Sequence, residues 1–405
     1  MRWLWAAYAV SAYGSGLGFG ALPLLAVLVL HASPAEVSAL SAVGPAVGAL
    51  LAIPLGPWVE FHRKRPVLIT MDLVRFAAMM TIPLLYALGS LSFAQLLVVS
   101  AVVATAKIAF TAASGAYLKS LVKPADLLVA NARFESTNWS SIAVGPPLGG
   151  AAIGLFGPVT TVLADAVSYL LSALCITAIR GHHEPEPTGR TPLHAGEVLD
   201  GWRHLLTHPG LRPLYLNQML VNGLIMATEP LLAVLLLGDL HFPPWQYGLA
   251  FAAPCLGGLI GSRLARRVVA RHGRHRVLRT MGTLRVVWLI GLAFVQPGLP
   301  GLITVIVVEL LIIISMSLYN PVLATYRLDH TPNHRLARTL TAWSISTSAA
   351  IAGLTALAGL LATVTSPRLA IAACGLLILL SPLLLPRRSA VVAGAPERQS
   401  HRVDG

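Results

Sequence analysis

PVLITMDLVR, residues 66–75, and RVLRTMGTLR, residues 276–285, stand 210 positions apart and agree at Val67/Val277, Leu68/Leu278, Thr70/Thr280, Met71/Met281 and Arg75/Arg285. The same shift pairs Gly48 with Gly258, His62 with His272 and Lys64 with Arg274. Apolar sequence yields chance identities easily, so the weight of the match comes from its surroundings. Each decapeptide opens an apolar run and each follows a short basic loop. The same shift lays one set of apolar runs over a second set in the same orientation. Two parallel halves related by an axis along the membrane normal are a transporter architecture, with the site between them near the midplane.

Working outward, a helix needs about 20 mostly apolar residues to cross a hydrocarbon core about 30 Å thick. Backbone polar groups find no water there, so a crossing must be helical or belong to a closed barrel. Runs suited to helices, and too long for barrel strands, lie at 3–30, 37–57, 66–89, 92–119, 134–156 and 158–180. A second set lies at 213–237, 246–268, 277–296, 300–326, 339–363 and 367–386. The expected fold is therefore an all-α integral membrane protein of about twelve transmembrane helices. It divides into an N-terminal six-helix bundle (1–180), a polar linker (181–212), a C-terminal six-helix bundle (213–386) and a short polar tail (387–405) expected to be disordered. The first run, from Trp3 to about Leu30, exceeds the roughly 7–15-residue core of a signal peptide and reads as a retained helix.

Composition agrees. Of 405 residues 56% are hydrophobic and 11% charged, and mean hydropathy is +0.73. A soluble domain carries about 25% charged residues, so this chain needs a lipid bilayer around it. A net charge of +13 in a soluble protein would point to nucleic acid; here its placement excludes that reading. Lys and Arg gather in the loops after the second, fourth, eighth, tenth and twelfth runs. The opposite loops hold only Arg368, and Arg75, Lys107 and Arg285 fall within runs. Positively charged short loops stay cytoplasmic, so both termini are expected in the cytoplasm of a multi-pass plasma-membrane protein. Cys175, Cys255 and Cys374 sit in apolar runs without metal or disulfide spacing and read as small buried hydrophobes.

Motifs then narrow the class. GPWVEFHRKRPVLI, Gly56 to Ile69, resembles the signature loop of the major facilitator superfamily between its second and third spans. GPPLGG, Gly145 to Gly150, is similar to the span-five motif of that superfamily's antiporters. ADAVSYLLSAL (164–174) and TPNHRLARTLTAW (331–343) resemble the branch that includes macrolide and siderophore exporters. The likeness runs from Trp3 to about Pro386. Departures are Glu60 for the usual Asp, Phe61 for a basic residue, Arg63 for Gly, and Ser141 four residues before Gly145.

The resemblance implies a cytoplasmic gate of Gly56, Glu60, Arg63, Lys64 and Arg65, with the acid meeting a facing helix N-terminus. Asp72 and Arg75, one turn apart, extend it. The bland reading makes the basic residues topology determinants, and the two are compatible. Gly145, Pro146, Gly149 and Gly150 strip side chains from one helix face and permit close packing and a kink; the resemblance adds a bias towards export. Small-residue packing alone is the rival account.

Ionisable groups at membrane depth are costly and are functional candidates by default. Glu229 and Glu309 are first choices for proton coupling, Lys107 for substrate contact or pairing, and Asp165 for a structural role on an outer span. In the superfamily, spans one, four, seven and ten line the central cavity, which places Lys107, Glu229 and Glu309 on the substrate path. Structural ion pairing competes closely with that assignment. Asn217, Gln218, Asn222 and Asn320 read as helix–helix glue, and the histidines of 181–212 as a solvated linker without metal-ligand spacing.

No HExxH, G-x-S-x-G or P-loop is present, which argues against an enzyme. The expected function is alternating-access export of small amphipathic organic compounds by a monomer that uses the proton gradient and no cofactor. Uptake by the same fold stays open, and behind it a membrane receptor or lipid-handling role.

Overall fold

A computed structural model describes residues 2–18, 20–60, 62–121, 127–179, 195–332 and 335–385. Among these residues every regular element is helical. The first half comprises α1 (Arg2–Leu17), α2 (Ala21–Leu28), α3 (Pro34–Glu60), α4 (Lys64–Ala87), α5 (Phe93–Leu121), α6 (Leu127–Phe156) and α7 (Pro158–Thr177). After α8 (Ala195–Thr207) come α9 (Leu211–Ala233), α10 (Pro244–Ala252), α11 (Cys255–His272), α12 (Arg274–Val287), α13 (Leu299–Asp329), α14 (Leu336–Val364) and α15 (Pro367–Ile378). Eleven segments are long and apolar enough to cross a membrane, and Ser140–Phe156 within α6 supplies a shorter twelfth.

Several crossings are interrupted, and local chemistry accounts for where. The first breaks between α1 and α2 at Gly20, whose φ of 75° costs a glycine little. The seventh ends as a π-helical stretch, Val234–Asp239, just past Pro230, which has no N–H to donate. The eighth is split before Cys255 at Pro254. The ninth and twelfth finish as 3-10 turns at Leu289–Phe294 and Ser381–Leu384. The start of α3 is capped: Glu36 accepts from the Ser33 backbone N–H at 2.7 Å and from its hydroxyl at 2.8 Å, a capping box.

Two loop arginines close helix ends. Arg65 donates to the Thr177 carbonyl at 2.7 Å and that of Ile176 at 3.4 Å. Arg368 donates to the carbonyls of Ala293 and Val295 at 2.9 and 2.8 Å. A cation suits the negative end of a helix, which explains the one arginine that departs from the loop-charge pattern.

The interval between the halves is not loop throughout. The helix α8 lies against α14 and α9. Trp202 Nε1 reaches Ser346 Oγ at 2.8 Å, and Asp200 pairs with Arg335 and Arg338 at 3.4 and 3.6 Å. Its sequence, AGEVLDGWRHLLT, is amphipathic, so the apolar face docks while Asp200 meets the basic start of α14.

Each half packs mainly on itself: α1, α4, α5, α6 and α7 on one side, α9, α11, α12, α13, α14 and α15 on the other. Between them, α3 runs along α14 and α6 along α10. The tight places sit at the end opposite the basic loops. Gly359 backs onto Ser38, and Gly150 onto the Pro244 carbonyl and Gly248. The start of α2 and the π stretch of the seventh crossing also touch there. Every described ion pair, by contrast, stays within one half or joins α8 to its neighbour. The close contacts between the halves that the described residues show thus gather at the end opposite the basic loops.

Candidate coupling and substrate site

The polar groups inside the first half form one connected cluster. Asp72 on α4 pairs with Arg75 and accepts from Ser172 on α7 at 2.6 Å. The Arg75 guanidinium lies over Phe110 at 4.5 Å and Tyr169 at 4.3 Å. Tyr169 turns its hydroxyl to Asp165 at 3.2 Å. Ser15 of α1 donates to Asp165 at 3.3 Å and lies 3.0 Å from the Tyr169 hydroxyl. Close approach is set by small residues, since Gly14 and Gly18 back onto Ser168 and Asp165.

Lys107 on α5 adds a cation that interacts with Arg75 and Asp165 across this cluster. Its side chain is exposed.

The second half carries its acids differently. Glu229 lies on α9 immediately before Pro230, and Glu309 lies on α13. Both are half-buried. Counting ten residues from Asp239 and ten from Leu299 puts each about 15 Å from the same end, at about 1.5 Å per residue. They therefore share a depth near the middle of a core about 30 Å thick. The Glu229 charge acts on Glu309 and on Tyr247, and that of Glu309 acts on Cys255. Among the described residues neither carboxylate makes a hydrogen bond or an ion pair. Cys255 reaches across to the other half, 3.9 Å from the Ile142 carbonyl.

The remaining residues singled out in the sequence fall in two places. At the basic-loop end, Lys64 donates to the His62 carbonyl at 2.6 Å, Arg65 caps α7, and Arg63 precedes α4 in extended backbone. Asp72 and Arg75 lie deeper, closed within their own half. Gly56 and the Glu60 side chain lie outside the described residues. On α6, Gly145 backs onto Gly16 and Gly149 onto the Leu17 carbonyl, while Gly150 and the Pro146 carbonyl meet α10 at Gly248. One small-residue stripe thus serves both a contact inside the half and a contact between halves.

Sequence reasoning passed over Tyr169, Ser15 and Ser172, whose hydroxyls complete the first-half cluster. It named Asn217 and Gln218 as glue, and they are the partners of Arg285: Gln218 accepts at 2.8 Å and Asn217 at 2.6 Å, while Asn217 also donates to the Ser381 carbonyl at 2.7 Å. Tyr247, its ring tilted against Phe251 at 4.9 Å and backing Gly20, had no signal beyond its aromatic type.

Two helical halves packed along α3–α14 and α6–α10, with two acids of equal depth left unpaired among the described residues, describe a carrier. The family model of the Major Facilitator Superfamily matches residues 4–233 and again 214–403. The chain belongs to the Major Facilitator Superfamily. This superfamily member is similar to the multidrug efflux pump Tap of Mycobacterium tuberculosis, 28% identical over 333 residues that cover 79% of this chain and 78% of that protein. Tap of Mycolicibacterium fortuitum is 26% identical over 293 residues, 70% and 71% of the two chains. Among solved structures, a bacterial homologue of the iron transporter ferroportin superposes with a TM-score of 0.76 in its inward-facing state, at 17% identity over 95% of this chain and 97% of that one. In its outward-facing state the score is 0.62, at 17% identity and the same coverage. The chain is a multi-pass secondary transporter of a small-molecule substrate, not an enzyme.

Proposed function

We propose that this superfamily member exports small amphipathic organic compounds from the cytoplasm in exchange for protons, as a monomer in the cell membrane with both termini cytoplasmic. The observation that carries the reading is the pair Glu229 and Glu309: equal depth, mutual repulsion, and no cation partner among the described residues. Two like charges near the midplane are costly. Taking up a proton or a cationic group relieves that cost, and access from one side and then the other makes the relief vectorial. Lys107 on α5 of the first half supplies a charge that competes for them when the halves approach. Export is supported by the efflux pumps among the relatives, and by the α6 stripe that binds α1 and α10 together. Orientation is supported by the placement of Lys and Arg in the loops at one end. No cofactor enters this cycle; the proton gradient supplies the energy.

The test is uptake of a panel of fluorescent amphipathic dyes into energised everted vesicles, with and without a protonophore. Wild type should accumulate dye only while the gradient stands, and Glu229→Gln and Glu309→Gln should each lose at least about tenfold in rate, the scale of roughly 1.4 kcal/mol. Gradient-independent accumulation, or full activity in both variants, removes proton coupling through this pair. Movement only in right-side-out vesicles reverses the direction to uptake.

A further inference from the structure

Away from the midplane, the basic-loop end of the second half holds a cavity of about 230 Å³ between the starts of α9 and α12, the end of α13 and the 3-10 turn after α15. Its walls divide by chemistry. Leu214, Leu278 and Leu385 give an apolar floor, and Arg274, Arg279 and His275 are ranged beside it. Arg274 is partly satisfied by Asp329 at 2.9 Å, an exposed pair. Arg279 has no side-chain partner among the described residues. The His275 Nε2 atom is buried and likewise lacks one. One cation and one imidazole nitrogen are thus left to bind something that is not protein.

Position limits what that is. The membrane-spanning part of α12 begins at Arg274, so its first turn lies at headgroup depth, while Leu278 and Leu385 belong to the apolar packing beneath it. Exposed Leu284 and Val287 on α12, and Leu383 beside Leu385, continue apolar surface along the same elements. We infer that this cavity binds an anionic phospholipid, its phosphate held by Arg279 and His275 and its first methylenes laid on Leu214, Leu278 and Leu385. Basic pockets between transmembrane helices at a membrane surface recognise such headgroups. The geometry favours lipid over a free anion because most of the wall's surface is apolar, a surface that a bare phosphate leaves unused. Asp329 sets the preference further, since its carboxylate faces Arg274 and leaves room for one phosphate at Arg279.

The experiment uses the full chain purified in detergent and three probes: dioleoyl phosphatidylglycerol, dioleoyl phosphatidylcholine and glycerol phosphate without acyl chains. Native mass spectrometry should show phosphatidylglycerol retained over phosphatidylcholine. Arg279→Gln should reduce that retention about fivefold, the effect of about one basic group at an anionic surface. A photoactivatable phosphatidylglycerol should label wild type on the peptides that hold Leu278 and Leu385, which keeps the proposal falsifiable if the variant fails to fold. Equal retention of both lipids, labelling spread over all crossings, or unchanged binding by Arg279→Gln overturns the site. Binding of glycerol phosphate as tightly as the lipid overturns the lipid in favour of a free anion. Neither outcome depends on dye transport, so failure here leaves the exporter reading standing and the reverse also holds.

Discussion

Arg75 and Arg285 hold the same place in the two halves, and what meets them has diverged. Both are buried, at 3% and 0% exposure. Both lie on aromatic rings, Arg75 over Phe110 and Tyr169, Arg285 over Tyr319 at 3.7 Å, and both leave Nε without a hydrogen-bond partner. The counter-charge is where they part. Arg75 has Asp72 one turn earlier; the register puts Gly282 at that position, and Arg285 meets only the neutral amides of Gln218 and Asn217. Hydrogen bonds to a charged group are worth about 1.5–3 kcal/mol and a desolvated cation–π contact about 2 kcal/mol, which together hold a cation without a carboxylate.

The same split runs through the rest of each half. In the first, Asp165 is tied to Ser15 and Tyr169 and senses Lys107. In the second, Glu229 and Glu309 stand apart from Arg285 and from every described cation. A charge paired inside a half is a strut whose state need not change during transport. An unpaired one at that depth requires a proton, a substrate or a conformational change to complete it. Coupling chemistry is therefore expected of the second half, with the first as its rigid counterpart.

The largest test replaces each arginine with methionine, which keeps the stem and removes the cation. Arg75→Met strands Asp72, which is 0% exposed, and breaking a buried pair from one side costs about 3–5 kcal/mol. Arg285→Met strands two amides, of which Asn217 keeps its bond to Ser381, for about 1–3 kcal/mol. Unfolding midpoints of the two purified variants should rank in that order. Equal losses would mean that Asp72 is not held by Arg75 and would dissolve the contrast.

A smaller effect is expected from Gly282→Asp, which writes the first half's pair into the second. A Cβ at 282 would stand 3.0 Å from the Tyr319 ring and 3.1 Å from Leu385. The new carboxylate must displace the ring on which Arg285 lies. The expected result is a net loss of about 1–2 kcal/mol from overpacking, part of it recovered in the double variant with Leu385→Ala. A gain in the single variant would show that Arg285 is short of charge and not short of room.

These contrasts also mark how far the sequence could be read. The crossings followed from apolar length alone, because lipid forces every backbone group into helices. Pairing Arg75 with Arg285 followed from the repeat register. Asp72 was in view as the neighbour of Arg75 one turn away, but Tyr169 and Ser172 were not, because they come from α7, about a hundred residues away, and a hydroxyl in an apolar run carries no mark of what it faces. The breaks near Gly20 and Pro254 had their residues in view, but a proline or glycine in a membrane span is also compatible with unbroken helix. The helix α8 was hidden differently: Glu197, Asp200, Arg203 and the histidines read as solvated loop, and only Trp202 and Leu205, one turn apart, give it a face to bury. Glu229 and Glu309 were legible as rare charges, while their equal depth became visible only once α9 and α13 had definite ends.

The smallest effect belongs to the loop that joins α8 to α9. His208 Nδ1 accepts from the backbone N–H groups of Gly210 and Leu211, both at 3.2 Å, and so caps α9 only while that nitrogen is unprotonated. The ring lies 5.6 Å from His204 and 5.7 Å from His330, which itself stacks on Tyr326. Partial burial, then the neighbouring His204 and His330, hold the His208 imidazole below its ordinary range. A depressed imidazole contributes stability above its unfolded value, about 6.5, and loses it as pH falls through the lower folded value. Hydrogen exchange at the amides of Gly210 and Leu211 should therefore accelerate, relative to intrinsic rates, as pH drops from 7.5 to 5.5. His208→Asn keeps an acceptor for the cap and removes the titration, so its protection should stay flat across the same range. A wild-type profile as flat as that of the variant would show that the cap does not titrate, and the second half would then keep its unpaired chemistry confined to Glu229 and Glu309.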